Sequence, residues 1–103
     1  MEEFDIAIIG GGPAGIMAAI AASADLNVVL LEKNSSLGSK LLITGGGRCN
    51  ITNEKPIKKL LNSFHDKNFL KHSFYTFTNE MLLDLFRNRG LDFIVEDNNR
   101  VFP

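Results

Sequence analysis

One stretch near the N-terminus restricts the possible folds more than any other part of the sequence. Phe4 to Ile9 is a short apolar run, the glycine-rich turn Gly10 to Gly15 follows it, and Ala14 to Ala24 is rich in alanine. A second apolar run extends from Asn27 to Glu32. Short apolar runs are typical of parallel strands buried on both faces, and small side chains let a helix pack closely against them. The order predicts a strand–helix–strand unit with a right-handed crossover.

The rest of the chain predicts short helices followed by a hairpin. Pro56 suits a first helical position, and apolar residues recur at helical spacing as far as Phe77. The clearest helix runs from about Asn79 to Arg89, where Gly90 ends it. The last predicted elements are a strand over 91–96, a turn at 97–99 and a second strand at 101–102. The expected fold class is α/β, a Rossmann-like fold that this chain contains only in part.

Composition excludes several classes of partner. The 103 residues include 11 Lys+Arg and 12 Asp+Glu, and the formal net charge of −1 predicts neither a nucleic acid nor a membrane as partner. The uncharged stretch 6–24 is broken by glycines and proline, so it predicts no membrane span. A single cysteine, Cys49, cannot form an internal disulfide, and we expect a reducing cytoplasm.

The first glycine segment has the pattern of a dinucleotide-binding turn. Gly10, Gly12 and Gly15 satisfy G-x-G-x-x-G between a predicted strand and helix, and Glu32 ends the next strand. In this pattern Gly10 makes the tight turn, Gly12 lets the backbone approach a pyrophosphate, and Gly15 allows close helix–strand contact. Glu32 would accept hydrogen bonds from an adenosine ribose and repel a 2′-phosphate, which disfavours NADP at this site.

A second glycine segment follows within a few residues and favours FAD over NAD. Gly45, Gly46 and Gly47 lie between Thr44 and the polar stretch 48–53. Such a backbone can lie against a flat or charged ligand, and polar side chains on either side can hydrogen-bond to it. Within this stretch we expect Arg48 to lie near the pyrophosphate or flavin, Asn50 and Thr52 to offer hydrogen bonds, and Cys49 to be a small packing residue.

These segments together resemble a known family. The stretches 5–15 and 31–33 and the T-G-G-G-R-C-N-I-T-N run at 44–53 are similar to the FAD-dependent flavoproteins of the aminoacetone-oxidase-like and bile-acid-reductase-like type. The resemblance continues to Arg100-Val101-Phe102-Pro103 at the end of the chain. Two departures are Ser39, where a basic residue is frequent, and Asn99, where a glycine usually precedes Arg100.

The resemblance implies that residues 1–103 are the N-terminal portion of the FAD-binding domain of a longer oxidoreductase. FAD is the implied cofactor, with NAD(P)H left open as an electron donor bound outside this segment. A small-molecule substrate would be bound by parts not in this chain, and the catalytic residues and oligomeric state stay open. The residues expected to bind the cofactor are Gly10, Gly12, Pro13, Ala14, Gly15, Glu32, Lys33, Lys40, Thr44, Gly45, Gly46, Gly47, Arg48, Cys49 and Asn50.

Two alternatives stay open at this stage: a non-catalytic nucleotide-binding fragment, and the NAD-binding domain of a dehydrogenase. No metal site is expected, although His65 and His72 could share one helix face. Because several phenylalanines require a larger core than two or three strands provide, we expect the isolated chain to expose apolar surface and to hold FAD weakly.

Overall fold

The computed structural model describes all 103 residues and divides them into two compact units, Met1–Gly47 and Arg48–Pro103. The first unit contains β1 (Ile6–Ile9), α1 (Pro13–Ala22), β2 (Val28–Leu31), α2 (Ser39–Leu42) and a 3-10 turn (Thr44–Gly47). The second unit contains β3 (Thr52–Asn53), α3 (Ile57–Leu61), α4 (Lys67–Thr76), α5 (Asn79–Arg87), β4 (Ile94–Glu96), a 3-10 turn (Asp97–Asn99) and β5 (Arg100–Phe102).

The first unit has the predicted strand–helix–strand order. β1 and β2 pair in parallel, with Ile6 opposite Val28 and Ile9 opposite Leu31, and α1 packs on both strands. The backbone N–H of Gly10 extends the ladder by donating to the carbonyl of Leu31 at 2.8 Å. Both strands therefore end at the same edge of the sheet, beside the glycine turn.

Two glycines of the turn have the structural roles that the sequence predicts. Gly10 has φ +101°, a left-handed backbone conformation that favours glycine. A Cβ at Gly15 would overlap the carbonyl oxygen of Gly10 and lie 3.5 Å from Cγ2 of Ile8. The first turn of α1 thus lies directly against the end of β1, at a distance that only glycine permits.

The prediction that these strands are buried on both faces is wrong. Ile6 and Ile8 are half-buried, on the face that α1 covers, whereas Ile9 is 79% exposed and Leu31 is 51% exposed. Alternate residues of a strand point to opposite faces, so one helix can cover only one face of a two-stranded sheet. The apolar composition of both strands exceeds what this unit buries.

The second unit is built around a three-stranded antiparallel sheet of order β3–β5–β4. Val101 on the central strand pairs with Thr52 on one side and Val95 on the other, and its side chain is fully buried. The predicted hairpin is present, with β4 and β5 joined by the turn at 97–99. β3 is a short strand that the sequence did not predict.

Capping residues set the limits of the helices in this unit. The Asp66 carboxylate accepts from the N–H of Phe69 at the start of α4, and the Thr78 hydroxyl accepts from the N–H of Met81 at the start of α5. Pro56 is the N-cap of α3 rather than its first helical residue. α5 ends at Arg87, two residues before the predicted end, and Gly90 follows with φ +84°.

The core of the second unit is small and contains one buried amide. Its buried apolar side chains are Leu61, Leu83, Val101 and Phe102. Asn79, 7% exposed, donates through Nδ2 to the carbonyls of Asn53 (2.7 Å) and Lys55 (2.8 Å). The amide therefore joins the start of α5 to the segment that leaves β3.

The turn before β5 accommodates the departure at position 99. Asn98 and Asn99 have φ of +62° and +58°. Asparagine enters this region more readily than other residues with a side chain, so Asn99 adopts a conformation that a glycine would also provide. The carbonyl of Asn98 accepts from Nδ2 of Asn53 at 2.8 Å, and that of Asn99 accepts from the N–H of Glu54 at 2.8 Å, which holds the turn against β3.

Large apolar side chains remain exposed in both units, in line with the expectation of exposed apolar surface. Ile43 is 78% exposed in the first unit, and Phe69 is 80% exposed in the second. None of the helices is both long enough and apolar enough to cross a membrane.

Gly15→Ala tests the close contact between α1 and β1. Because the new methyl group would meet a backbone oxygen that cannot move independently, we expect a loss of about 1–3 kcal/mol in the free energy of unfolding. The matched control is Gly12→Ala, since φ −79° at Gly12 suits alanine and its Cβ would meet nothing within 4 Å. Urea denaturation of both variants measures the difference, and equal stability would contradict this account of Gly15.

Candidate functional site

A cavity lies where β1 and β2 end, within the first unit. Its volume is about 420 Å³, within the range typical of small-molecule sites. It lies beside the carboxyl ends of two parallel strands, which is where open α/β sheets bind their ligands. The lining residues are Ile9, Gly10, Gly11, Gly12, Pro13, Leu31, Glu32, Lys33, Asn34, Gly38, Ser39 and Lys40.

The N-terminus of α1 faces this region without a side-chain cap. Gly12 is the N-cap residue and offers no side chain, and Pro13 occupies the first helical position. The first N–H groups of a helix have no partner within the helix, and its dipole places partial positive charge at that end. The end of α1 at the cavity can therefore hold an anion such as a phosphate.

Gly12 shows that the site leaves room for a ligand. Its φ of −79° and ψ of −178° are extended backbone that any residue can adopt. A Cβ at this position would meet no atom of the protein within 4 Å. The backbone of Gly12 therefore lies open on this side, and a bound group can approach it closely.

Glu32 is tied to the glycine turn by hydrogen bonds. One carboxylate oxygen, Oε2, accepts from the N–H of Gly11 at 2.7 Å, and Oε1 accepts from the N–H of Asn34 at 2.9 Å. The N–H of Asn34, and after it that of Gly11, hold the pKa of Glu32 below its usual value. Glu32 is therefore ionised at neutral pH, and its free lone pairs can accept ribose hydroxyls.

Two lysines give the cavity its positive charge. Lys33 follows Glu32, and Lys40 lies in α2. Neither side chain forms a salt bridge, since the two salt bridges of the structure join Arg48 to Glu96 and Arg87 to Asp84. Both ammonium groups are free to neutralise phosphate oxygens.

The structure brings together part of the residue set predicted from the sequence. Six predicted residues line the cavity: Gly10, Gly12, Pro13, Glu32, Lys33 and Lys40. Ala14 and Gly15 lie just behind them in the first turn of α1. The other six lining residues were not among the predicted site residues: Ile9, Gly11, Leu31, Asn34, Gly38 and Ser39. The signal available at Gly38 was the glycine itself, because glycine is the residue that most readily adopts a left-handed backbone, and its φ is +67°.

Thr44, Gly45, Gly46 and Gly47 form a separate turn and do not line this cavity. The three glycines have φ of +59°, +65° and +88° in chain order. A Cβ at Gly46 or Gly47 would meet nothing within 4 Å, so both present open backbone. The Thr44 hydroxyl donates to the carbonyl of Leu41 at 2.7 Å and is engaged in ending α2.

Arg48 belongs to the second unit and already has partners there. Its Nη2 forms a salt bridge of 2.6 Å with Oε1 of Glu96, and its guanidinium lies 4.5 Å from the centroid of the Phe102 ring. Arg100 approaches the same ring at 5.6 Å. The guanidinium is thus fixed by an ion pair and a cation–π contact within its own unit.

Asn50 and Cys49 follow Arg48 in the same unit. With its amide oriented to satisfy both neighbouring carbonyls, Nδ2 of Asn50 donates to Thr52 at 2.9 Å and to Val101 at 3.2 Å. Cys49 is a half-buried free thiol. His65 precedes α4 while His72 lies within it, so the two histidines do not share a helix as the sequence suggested, and both are exposed.

The fold and the cavity of the first unit define a class of protein. A parallel strand–helix–strand unit with a glycine turn, an open helix N-terminus and an acidic residue at the end of the second strand is the dinucleotide-binding unit of Rossmann-type domains. The model of the HI0933-like protein Rossmann domain family matches residues 4–103, and the chain belongs to that family. Membership confirms the expected Rossmann-like α/β fold and FAD as the cofactor of the domain.

Curated relatives include proteins named as a reductase, a synthase and a dehydrogenase. The chain is 56% identical over 52 residues to a 3-dehydro-bile acid delta(4,6)-reductase of Clostridium scindens, covering 48% of this chain and 13% of that protein. It is 38% identical over 94 residues to a ribosomal RNA dihydrouridine synthase of Escherichia coli, covering 88% of this chain and 23% of that protein. A mitochondrial dihydrolipoyl dehydrogenase of Caenorhabditis elegans is 39% identical over 74 residues, covering 71% of this chain and 13% of that protein. The chain thus matches less than a quarter of the length of each relative.

A double-mutant cycle tests the anchoring of Arg48. We expect the coupling free energy between Arg48→Ala and Glu96→Ala to be about 0.2–1 kcal/mol, as for exposed ion pairs. Arg48→Lys keeps the charge but removes the guanidinium that lies over the Phe102 ring, so it should lose about 0.5–1 kcal/mol of the free energy of unfolding. Denaturant midpoints provide both values. A coupling free energy of zero, together with an Arg48→Lys variant as stable as the parent protein, would contradict the anchored position of Arg48.

Proposed function

We propose that the chain supplies the FAD-binding part of a flavin-dependent oxidoreductase, with residues 1–103 forming the N-terminal portion of its FAD-binding domain. The cofactor's pyrophosphate lies over the glycine turn Gly10 to Gly15, and Glu32 binds the adenosine ribose. The observation that carries the assignment is the open space over Gly12, beside an uncapped helix N-terminus. Lys33 and Lys40 supply positive charge for the phosphates.

The turn Thr44 to Gly47 serves the same cofactor in this proposal. Gly46 and Gly47 present open backbone, which suits contact with a flat ring system or with phosphate oxygens. Arg48 anchors the segment after this turn by its contacts with Glu96 and Phe102. Asn50 hydrogen-bonds the same segment to β5. We assign to Arg48, Cys49 and Asn50 a supporting role, in which they hold the backbone that directly follows Gly47.

The proposed reaction is a redox reaction on a small molecule. The flavin supplies the electron chemistry when bound, while residues of the protein bind and orient it. A reductase and a dehydrogenase among the relatives support this class. NAD(P)H is the proposed electron donor, and both donor and substrate would bind outside these residues.

Replacing Gly12 by valine tests the cofactor site. The branched side chain would fill the space over the turn while meeting no protein atom at Cβ, so we expect at least a tenfold loss of FAD affinity with the fold retained. Flavin absorbance after purification and FAD titration of the stripped protein measure the effect. The matched control is Ala24→Val, which adds a branched side chain at an exposed position that does not line the cavity.

Unchanged flavin content in Gly12→Val would contradict the position of the pyrophosphate. Glu32→Ala should also lose flavin, because a charged hydrogen-bond acceptor is removed. A bound nicotinamide in place of the oxidised-flavin absorbance bands would instead favour the dehydrogenase alternative.

A second candidate function is an RNA substrate, which departs from the sequence expectation of no nucleic acid. The relative from Escherichia coli that covers 88% of this chain is named for ribosomal RNA. In the second unit, Lys58, Lys67 and Lys71 line a groove between α3 and α4 together with Asn62, Asn68 and Tyr75. None of these lysines forms a salt bridge, so their charge is available to phosphates, and the exposed ring of Tyr75 can stack on a base.

Charge reversal in this groove tests the RNA candidate. We expect Lys67→Glu and Lys71→Glu each to weaken binding of a fluorescein-labelled single-stranded RNA and to reduce the salt dependence of its affinity by about one phosphate contact. Fluorescence anisotropy at several salt concentrations gives both quantities. Lys59→Glu makes the same charge change outside the groove and is the control. An equal loss in the control, or no RNA binding by the parent protein, would exclude this candidate.

A further inference from the structure

Gly11, the second residue of the glycine turn, forms hydrogen bonds through both its N–H and its carbonyl. Its N–H donates to Oε2 of Glu32 at 2.7 Å, and its carbonyl accepts from the N–H of Gly38 at 2.8 Å. Gly11 and Gly38 are both buried. Two hydrogen bonds therefore connect the turn between β1 and α1 to the segment that follows β2. One involves the Glu32 side chain and the other is between backbone groups.

Glu32 extends this connection through its second oxygen. Oε1 accepts from the N–H of Asn34 at 2.9 Å, so a single carboxylate bridges the glycine turn and the loop after β2. A Cβ at Gly11 would overlap Cδ2 of Leu37 and lie 3.1 Å from Oε2 of Glu32. Glycine at position 11, which the G-x-G-x-x-G pattern leaves unspecified, thus lets the carboxylate approach the backbone without a shift of Leu37 or Glu32.

We propose that Glu32 is a positioning residue for the glycine turn, in addition to the ribose contact assigned to it above. The carboxylate fixes the N–H of Gly11 and thereby sets the path of the turn before any cofactor is bound. Its consequence for FAD rests on the proposed function, whereas the positioning of Gly11 does not. Removing the carboxylate should loosen the turn and weaken binding even of a ligand that has no ribose hydroxyls to offer.

The electrostatic surroundings keep this connection intact at neutral pH. The titratable side chains that line the cavity with Glu32 are Lys33, from the same loop, and Lys40, from α2; β1 and α1 contribute none. The backbone hydrogen bonds from Asn34 and Gly11 hold the pKa of Glu32 below its usual value, so the stabilisation is fully present above the usual glutamate range. It is lost as the pH falls through the lowered pKa.

Amide NMR tests the positioning role without any ligand. In the parent protein, the amide proton shifts of Gly11 and Asn34 should change together on acidification, with one shared midpoint below the usual glutamate pKa of about 4.3. Glu32→Gln should abolish that shared change. Glu54→Gln is the matched control, since Glu54 is exposed and its carboxylate has no hydrogen-bond partner within the protein. A Gly11 amide that titrates identically in Glu32→Gln would overturn the proposal.

A second measurement separates positioning from ribose recognition. FAD and an FAD analogue lacking both hydroxyls of the adenosine ribose are titrated into the parent protein, Glu32→Gln and Glu32→Asp. We expect Glu32→Gln to weaken both ligands, by about tenfold for the analogue. Glu32→Asp keeps the charge on a shorter side chain that cannot reach both N–H groups. Its affinity for each ligand should therefore lie between those of the parent protein and Glu32→Gln.

Each outcome has a distinct meaning. If Glu32→Gln weakens FAD and leaves the analogue unaffected, Glu32 acts through the ribose alone and the positioning role is wrong. If the parent protein binds neither ligand, the proposed function fails, and the amide titration decides the positioning role alone. A dispersed amide spectrum of Glu32→Gln, similar to the parent's outside the turn, establishes that the variant is folded.

Discussion

The contact between Gly15 and the carbonyl of Gly10 governs the geometry of the first unit. Because no side chain separates them, the first turn of α1 lies directly against the end of β1. A larger residue at position 15 would move the helix outward, and the helix N-terminus would no longer face the edge where both strands end. One missing methyl group thus determines where the positive end of the helix dipole lies.

The edge of the sheet then combines contributions from two parallel strands. The strand β1 leads into the glycine turn, and β2 leads into Glu32, so backbone donors and a carboxylate acceptor lie side by side. This pairing suits a ligand that carries phosphate and ribose groups next to each other. The chain belongs to the HI0933-like protein Rossmann domain family, and Rossmann-type folds bind dinucleotides at this edge of the sheet. The chemistry of the site therefore follows from the register of two short strands.

Local sequence patterns predicted the elements that are themselves local. The glycine turn, the helix α5 and the turn at 97–99 each have their signal within a dozen residues, and all three are present in the structure. The short strand β3 escaped prediction because two residues carry no periodicity and their pairing depends on β5, which lies far along the chain. The partners of Arg48 were missed for the same reason, since Glu96 and Phe102 approach it only after the second unit folds. No sequence pattern predicts the hydrogen bond from Gly11 to Glu32, because the motif does not specify the residue at position 11.

The turn Thr44 to Gly47 also has a consequence that concerns handedness. Gly45 and Gly46, with φ and ψ near +60° and +30°, follow the mirror image of an ordinary right-handed helical path. A D-amino acid would adopt that path without strain, whereas nearly every L-residue other than asparagine or aspartate would resist it. Since a Cβ at Gly46 would meet nothing nearby, chirality rather than crowding narrows the choice of residue there. Because these glycines have no chiral Cα, the turn can present bare backbone along a left-handed path that most L-residues avoid.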